Sequence, residues 1–440
     1  MRASGVDEAR LRRARVPHAG LAAWGGLKSV AAGSGGPARV PAWRRRAWIL
    51  AVALAAISPK VSAGGDAAQI NAALVAALPA DGTTDVVVIA QPSTPDAPRA
   101  WSATHVAAAP AAIKDVLLDP AHYRALIPSL IKSDLELPNG GPPVVDWELE
   151  VPLFNLSGRM SLSNRPDGVT IELFEGDFAP GRISFTVAPS AIGGATLIVD
   201  AVLDVNRSSW LLRRILKRSP AGEPAALTAA AYVALRAVAL RAEHPSGRFA
   251  WRARAPLAPP ASWLPDPRPL AAVPLAPLRA RGVVALVART PADRLGGVAA
   301  AVTLSATAPA VAAILRDPTS WRAFPGWETI RVRPGPNGPG AEVKDNLPLV
   351  DLDAGWTAEP GGLLRWVATA GATRGARLGW DVMPDTAGSI AALTLYPRLE
   401  TTGTIGRKFI AAEPLLEEGL SLALAFADAA GLKAALITSR

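Results

Sequence analysis

The chain has 440 residues, of which half are apolar and 19% are charged, a composition that excludes general disorder. It has no cysteine and only four histidines, none with metal-ligand spacing, so disulfides and thiol chemistry are excluded and we predict no metal and no cofactor. The net charge of +9 lies entirely in the first 63 residues, and the balanced remainder argues against nucleic-acid binding.

The first segment is a candidate export signal. An apolar run over residues 47–57 follows Arg44-Arg45-Arg46. After it, Val61-Ser62-Ala63 has small residues at the positions that a signal peptidase recognises before its cleavage site. The run is shorter than the about 20 residues that a membrane-spanning helix needs. We predict that residues 1–63 are a signal peptide with an extended charged start and that cleavage follows Ala63. The mature protein is then periplasmic or secreted, and an uncleaved anchor is the alternative.

A repeat follows this segment. Its clearest landmark is Leu117-x-Asp119-Pro120-x-x-Tyr123, which returns as Leu315-x-Asp317-Pro318-x-x-Trp321. Five such matched segments occur in the same order in both copies. Partners are 198 residues apart at this motif and 190 apart at the Glu-Pro pair before the last apolar stretch. Two copies with small loop deletions have this signature, so we predict one domain over residues 84–245 and a second over residues 281–437.

The stretch between the copies, residues 246–280, contains eight prolines and is predicted to be an extended, semi-rigid linker. Each copy begins with two extended runs and a helix that starts near Pro110 or Pro309. About six strands with period-two alternation follow, and a long helix closes each copy after a Glu-Pro pair. The sequence therefore predicts an α+β fold.

This order of elements, with Leu-x-Asp-Pro-x-x-(Tyr/Trp) after the first helix and a long C-terminal helix, resembles the START-like (SRPBCC) helix-grip superfamily. The polyketide cyclase/dehydrase and coenzyme Q-binding group is the nearest part of it. The resemblance covers nearly all of the chain after the leader, twice. It implies two tandem START-like domains, each a curved antiparallel sheet wrapped around a long C-terminal helix. The family binds lipids, quinones, polyketides and hormones and has no universal catalytic motif.

The closing helices are rich in alanine, and small side chains leave volume between a helix and a sheet. We therefore predict an exported binding protein that holds a hydrophobic small molecule or lipid in such a cavity. The residues predicted to contact this ligand are Trp147, Met160, Phe185, Tyr232, Trp366 and Trp380. Plain core packing is the alternative for each of them. We predict no catalytic residue; the alternative function is an aromatase/cyclase-type enzyme acting on a polyketide-like substrate.

Three further features of the sequence bear on the proposed cavity and its surroundings. Tyr123 and Trp321 either line a cavity mouth or, as we favour, anchor the short helices onto the sheet. His122 is the one histidine expected near a pocket mouth. The basic-apolar segment 210–218 predicts peripheral contact with an anionic membrane surface, with a solvated helical turn as the alternative.

Overall fold

The computed structural model describes residues 64–90, 98–151, 154–217, 221–245, 266–290, 293–324, 327–335, 338–347, 350–359, 364–399, 407–408 and 415–438. The chain divides into Met1–Val61 and Ser62–Arg440, and all of the described residues belong to the second unit. The predicted signal peptide lies outside the described residues.

Sixteen strands within the described ranges form one antiparallel sheet. They are β1 Thr84–Ala90, β2 Arg99–Val106, β3 Leu130–Glu136, β4 Val144–Val151, β5 Phe154–Arg165, β6 Gly168–Gly176, β7 Phe178–Pro189, β8 Ala195–Asp204, β9 Gly282–Arg289, β10 Leu295–Leu304, β11 Trp327–Gly335, β12 Gly338–Leu347, β13 Val350–Ala358, β14 Arg365–Gly371, β15 Arg377–Asp385 and β16 Gly388–Tyr396. Their order across the sheet is β11-β12-β13-β14-β15-β16-β10-β9-β1-β2-β8-β7-β6-β5-β4-β3. The order is therefore mirrored about the central pair, β9 and β1.

Helices cover the sheet. They are α1 Gly64–Ala77, α2 Pro110–Leu117, α3 Tyr123–Leu126, α4 Trp210–Leu216, α5 Gly222–Glu243, α6 Ala276–Arg279, α7 Ala308–Arg316 and α8 Leu416–Thr438. The long helix α5 packs on β1, β2 and β8, while α8 packs on β9, β10 and β16, and the two long helices contact each other. Both are long and apolar enough to cross a membrane by length and composition alone. The predicted α+β class, with a large antiparallel sheet, is confirmed.

The central strands are buried on both faces, which explains why their sequences are continuous apolar runs rather than alternations. Val87 and Ile89 of β1 point into the cluster under α5 and α8, whereas Val86 and Val88 pack in a second cluster on the opposite face. That second cluster includes Ile70, Leu74 and Leu78 from α1 and its end. The same double coverage accounts for the continuous apolar run in β16, in which seven consecutive residues are buried.

The end of the predicted linker differs from an extended chain. Residues 268–279 form two 3-10 turns, Arg268–Ala271 and Val273–Leu275, followed by α6. The prediction was wrong here because each proline stands in the first turn of its element, where no backbone N–H is needed. The leucines between these prolines are buried in the cluster beside α1 and supply the stabilising contact.

The two long helices approach closely at one point. A Cβ added to Gly419 of α8 would lie 3.3 Å from Cβ of Ala229 and 3.2 Å from Cγ2 of Val233, both on α5. At this point the small side chains serve helix–helix contact. The prediction that alanine leaves volume between helix and sheet does not describe Ala229.

Candidate ligand-binding site

The six residues predicted to contact a ligand are all buried in one hydrophobic cluster on the side of the sheet that faces α5 and α8. Period-two alternation places the five strand residues there, because alternate side chains of a strand point to opposite faces, while Tyr232 reaches the cluster from α5. Trp147, Met160 and Phe185 belong to β4, β5 and β7, on one side of the central pair. Trp366 and Trp380 belong to β14 and β15, on the other side.

Trp147 lies over a glycine of the neighbouring strand. Its register partner in β5 is Gly158, and a Cβ added there would come within 3.0 Å of Cζ2 of the indole. The absence of a side chain at Gly158 thus makes room for the ring. The indole Nε1 is buried and has no hydrogen-bond partner among the described residues. It is a donor in an apolar environment, a costly arrangement unless an acceptor arrives.

The other predicted residues of this half extend the same apolar surface. Met160 is paired with Val145 on β4 and Leu173 on β6, and Phe185 with Val199 on β8. All of these partners are buried in the cluster. Together they form a continuous apolar surface, the apolar floor, on the side of the sheet that faces α5 and α8.

The second half has its own aromatic pair. The rings of Trp321 and Trp366 meet edge to face, with their centroids 4.7 Å apart. Nε1 of Trp366 is buried without a hydrogen-bond partner in the described part of the chain, as is Nε1 of Trp147. Trp380 lies opposite Leu393 of β16, and both are buried.

Tyr232 has a polar environment that the sequence did not predict. Its hydroxyl donates to Oδ2 of Asp85 at 2.8 Å, and Thr104 donates to the other carboxylate oxygen of Asp85. Full burial raises the pKa of Tyr232 well above its ordinary value. Tyr232 therefore joins α5 to β1 through a buried hydrogen bond.

A groove opens beside this cluster. It has a volume of about 220 Å³ and lies between α2, α3 and the end of α5. Its lining residues are Ala112, Asp115, Val116, Asp119, His122, Leu126, Arg241 and Pro245. Leu126 is a member of the hydrophobic cluster and Val116 packs against it. Two residues of the groove wall thus contact the same hydrophobic cluster that contains the apolar floor.

The polar rim of the groove contains His122, as expected of a histidine near a pocket mouth. Its Nδ1 donates to Oδ2 of Asp119 at 2.6 Å, and both side chains are substantially exposed. The hydrogen bond orients the imidazole and leaves Nε2 for another partner. Arg241, which is half-buried in the last turn of α5, supplies a positive charge to the same groove.

Tyr123 and Trp321 are anchors, as favoured from the sequence. The hydroxyl of Tyr123 donates to the carbonyl of Leu117, and Nε1 of Trp321 donates to the carbonyl of Leu315 at 3.2 Å. In both places the acceptor is the carbonyl six residues earlier, near the end of the preceding helix. The bond closes that helix onto the following turn.

Sequence reasoning missed a set of buried charges near Tyr232. Asp85, Arg236, Arg289 and Glu418 are almost completely buried, and Asp293 pairs with both arginines. The signal was present as charged residues inside apolar runs, such as Asp85 before Val86-Val87-Val88. Buried charges of this kind need partners, which the sequence does not identify.

Among the described residues, no group of three or more histidine, aspartate and glutamate side chains is placed to hold a metal ion.

No family model matches the chain, and no curated protein matches it. Solved structures do. The Zhui aromatase/cyclase from Streptomyces sp. R1128 is 14% identical, with 34% of this chain and 95% of that chain covered and a TM-score of 0.28. The di-domain ARO/CYC StfQ from the steffimycin biosynthetic pathway is 11% identical, with 77% and 99% covered and a TM-score of 0.23. A STAR-related lipid transfer protein from Xanthomonas axonopodis is 15% identical, with 36% and 93% covered and a TM-score of 0.26.

Two of these descriptions name aromatase/cyclases and one names a STAR-related lipid transfer protein. Each activity named in these descriptions is that of the protein concerned.

Proposed function

We propose that the protein binds a hydrophobic molecule, lipid-like or quinone-like, that enters through the groove and lies between α5 and the sheet. One observation carries the proposal. The apolar wall of the groove, Val116 and Leu126, is continuous with the cluster that contains Trp147, Met160 and Phe185. A volume of about 220 Å³ is below the roughly 300–1,000 Å³ of sites for drug-sized ligands. The groove itself therefore takes one end of such a molecule, and α2 and α3 move away from α5 to admit the rest.

The energetics favour an apolar ligand. Removing ~300 Å² of ligand surface from water contributes about 7 kcal/mol before the costs of association. Charged Asp115 and Arg241 at the rim favour keeping a charged end of the ligand in the groove. The side chains of the apolar floor carry no charge that could pair with a charged group of the ligand.

A titration with a fluorescent fatty acid tests entry through the groove. Val116→Trp fills the groove wall and is expected to weaken binding at least 10-fold. Val75→Trp, the same substitution at an exposed position of α1, is the control and is expected to leave binding unchanged. Equal affinities for the wild type and Val116→Trp would contradict entry at this place.

We propose further that the two sides of the sheet are tandem helix-grip copies. The mirrored strand order and the matching positions of α5 and α8 support this assignment. Trp366 and Trp380 would then contact a ligand in the second copy, as Trp147, Met160 and Phe185 would in the first. Occupancy of both copies predicts a stoichiometry of two ligands per chain in the same titration.

We propose that α4 contacts an anionic membrane surface during ligand delivery. The indole of Trp210 is 65% exposed, and Arg213 and Arg214 beside it are also exposed. An amphipathic tryptophan with neighbouring arginines suits the headgroup region, where each basic residue contributes about 1 kcal/mol. Changing both arginines to glutamate is expected to abolish co-sedimentation with phosphatidylserine vesicles. The control pair Arg124→Glu and Arg316→Glu, also exposed, is expected to retain it.

We also propose export to the periplasm or medium with cleavage after Ala63, on the charge, apolar and small-residue pattern of residues 44–63. Sequencing the N-terminus of the exported protein is expected to begin at Gly64. An intact leader on the exported chain would contradict cleavage.

The alternative function, an aromatase/cyclase-type enzyme, is favoured by the Asp119–His122 pair at the groove. A histidine oriented by a carboxylate is a general base in many enzymes. His122→Gln separates the two functions, because it removes the base and leaves the apolar surface intact. Loss of turnover of a polyketide-like substrate with unchanged fatty-acid affinity would favour the enzyme.

A further inference from the structure

Four charged side chains meet where the two sides of the sheet join, and a fifth, Glu418, is buried within electrostatic range of them. This junction cluster consists of Asp85 on β1, Arg236 on α5, Arg289 on β9, Asp293 in the turn after β9, and Glu418 in the first turn of α8. β1 and α5 lie on one side of the junction, and β9, its turn and α8 lie on the other. The strands β1 and β9 pair directly along the junction.

The two arginines and two aspartates of the cluster balance one another. One terminal nitrogen of Arg236 donates to both carboxylate oxygens of Asp293 at 2.7 Å, and Nη1 of Arg289 donates to Asp293 at 2.6 Å. Nε of Arg289 lies 3.3 Å from Oδ2 of Asp85, and Nε of Arg236 lies 3.9 Å from the same oxygen. Arg236 on one side of the junction thus pairs with Asp293 on the other. The charge of these four groups sums to zero.

Glu418 is the fifth member and forms no ion pair with any other described residue. Its Oε2 is buried without a hydrogen-bond partner in the described ranges, and so is Nη1 of Arg236. Burial raises the pKa of Glu418 to about 7; Arg236 and Arg289 lower it, while Asp293 and Asp85 raise it. Tyr232 on α5 is the other titratable group that interacts with Glu418. An ionised Glu418 would leave the closed junction with one uncompensated negative charge, whereas a protonated one leaves it neutral.

The position of Glu418 couples this proton to helix packing. The next residue, Gly419, lies where α8 packs tightly against Ala229 and Val233 of α5. An ionised Glu418 carboxylate is stabilised by hydration. Water reaches it most easily if the two helices separate at this end of α8. We propose that Glu418 is a proton-operated latch, which holds α5 and α8 together when protonated and loosens their contact when ionised.

The direction of the pH dependence follows from the linkage between protonation and folding. The folded chain holds the Glu418 proton more tightly than the unfolded chain, in which its pKa is about 4.3. The stabilisation is complete below that value and is lost as the pH rises through about 7. Between pH 5.5 and pH 8.5 the equilibrium constant for opening is expected to increase on the order of 10- to 100-fold.

Glu418→Gln tests the latch in the full chain, because glutamine has the shape of the protonated acid and does not titrate. Urea unfolding midpoints and hydrogen exchange in α8 are measured at pH 5.5 and pH 8.5. The wild type is expected to lose stability and protection at pH 8.5, and Glu418→Gln is expected to keep both. Glu150→Gln, an exposed acid on β4, is the control and retains the wild-type pH dependence.

Two outcomes would overturn the latch. A pH-dependent loss of the same size in Glu418→Gln would assign it to other groups. An equal destabilisation of Glu418→Gln at both pH values would make Glu418 a permanently ionised partner of Arg236. Hydrogen exchange of the wild type alone, corrected for intrinsic rates, decides the matter if the variant does not fold. Unchanged protection of α8 between the two pH values would then contradict the latch.

Discussion

Trp147 and Trp101 each carry a buried indole N–H that has no hydrogen-bond partner among the described residues, and they lie on opposite faces of the sheet. Trp147 belongs to the cluster on the side of α5 and α8, whereas Trp101 of β2 packs in the cluster beside α1. Only the first face belongs to the proposed ligand space. A ligand with a carbonyl oxygen, such as a quinone, would give Trp147 the acceptor that no described residue supplies.

This comparison gives a prediction at the level of one hydrogen bond. Trp147→Phe removes the donor and is expected to weaken binding of a short-chain ubiquinone about 10-fold, the effect of ~1.4 kcal/mol. Trp101→Phe removes the same group on the other face and is expected to leave the affinity unchanged. Equilibrium titrations of both variants measure the difference. Equal losses in the two variants would place the ligand elsewhere.

Tyr123 provides a second prediction at this scale. Tyr123→Phe keeps the ring and removes only the hydroxyl that donates to the carbonyl of Leu117. Loss of this buried hydrogen bond leaves the carbonyl of Leu117 without its donor. The free energy of unfolding is therefore expected to fall by about 1–2 kcal/mol. Urea unfolding measures this loss. A variant as stable as the wild type would show that ring packing alone closes α2 onto the sheet.

At the scale of elements, the contact between α5 and α8 joins the two long helices. Ala229 meets Gly419 there, whereas the next residue, Ala230, is exposed. Ala229→Val adds volume at the crossing and is expected to lower the free energy of unfolding by about 1–3 kcal/mol. Ala230→Val makes the same change on the exposed face and is expected to cost about 0.5 kcal/mol, its difference in helix propensity. Similar losses in both variants would contradict close packing at this point.

The secondary structure was predictable where local patterns determine it. Alternation along β4 and β7 placed Trp147 and Phe185 on the inward face, and Asp119-Pro120 marked the end of α2. The turns over residues 268–279 were missed, because their leucines are ordered by contacts with α1 and β9 rather than by local preference.

At the scale of the whole molecule, the sheet is mirrored about β9 and β1, and charges collect at this junction. Asp85, Arg236 and Glu418 are far apart in the sequence, so no local pattern predicts that they meet. The apolar surface beneath α5 follows from alternation, whereas the groove beside it depends on how α2 and the end of α5 pack. The lining of the groove was therefore beyond sequence reasoning, except for His122.

Native mass spectrometry of the full-length chain, purified from a bacterial host without detergent, tests ligand binding most directly. Hydrophobic binding between α5 and the sheet predicts a species heavier than the chain by the mass of a lipid or quinone. That mass is released on denaturation and is diminished in Val116→Trp but not in Val75→Trp. A chain that carries no added mass, and gains none after incubation with fatty acid or ubiquinone, would contradict the proposed function.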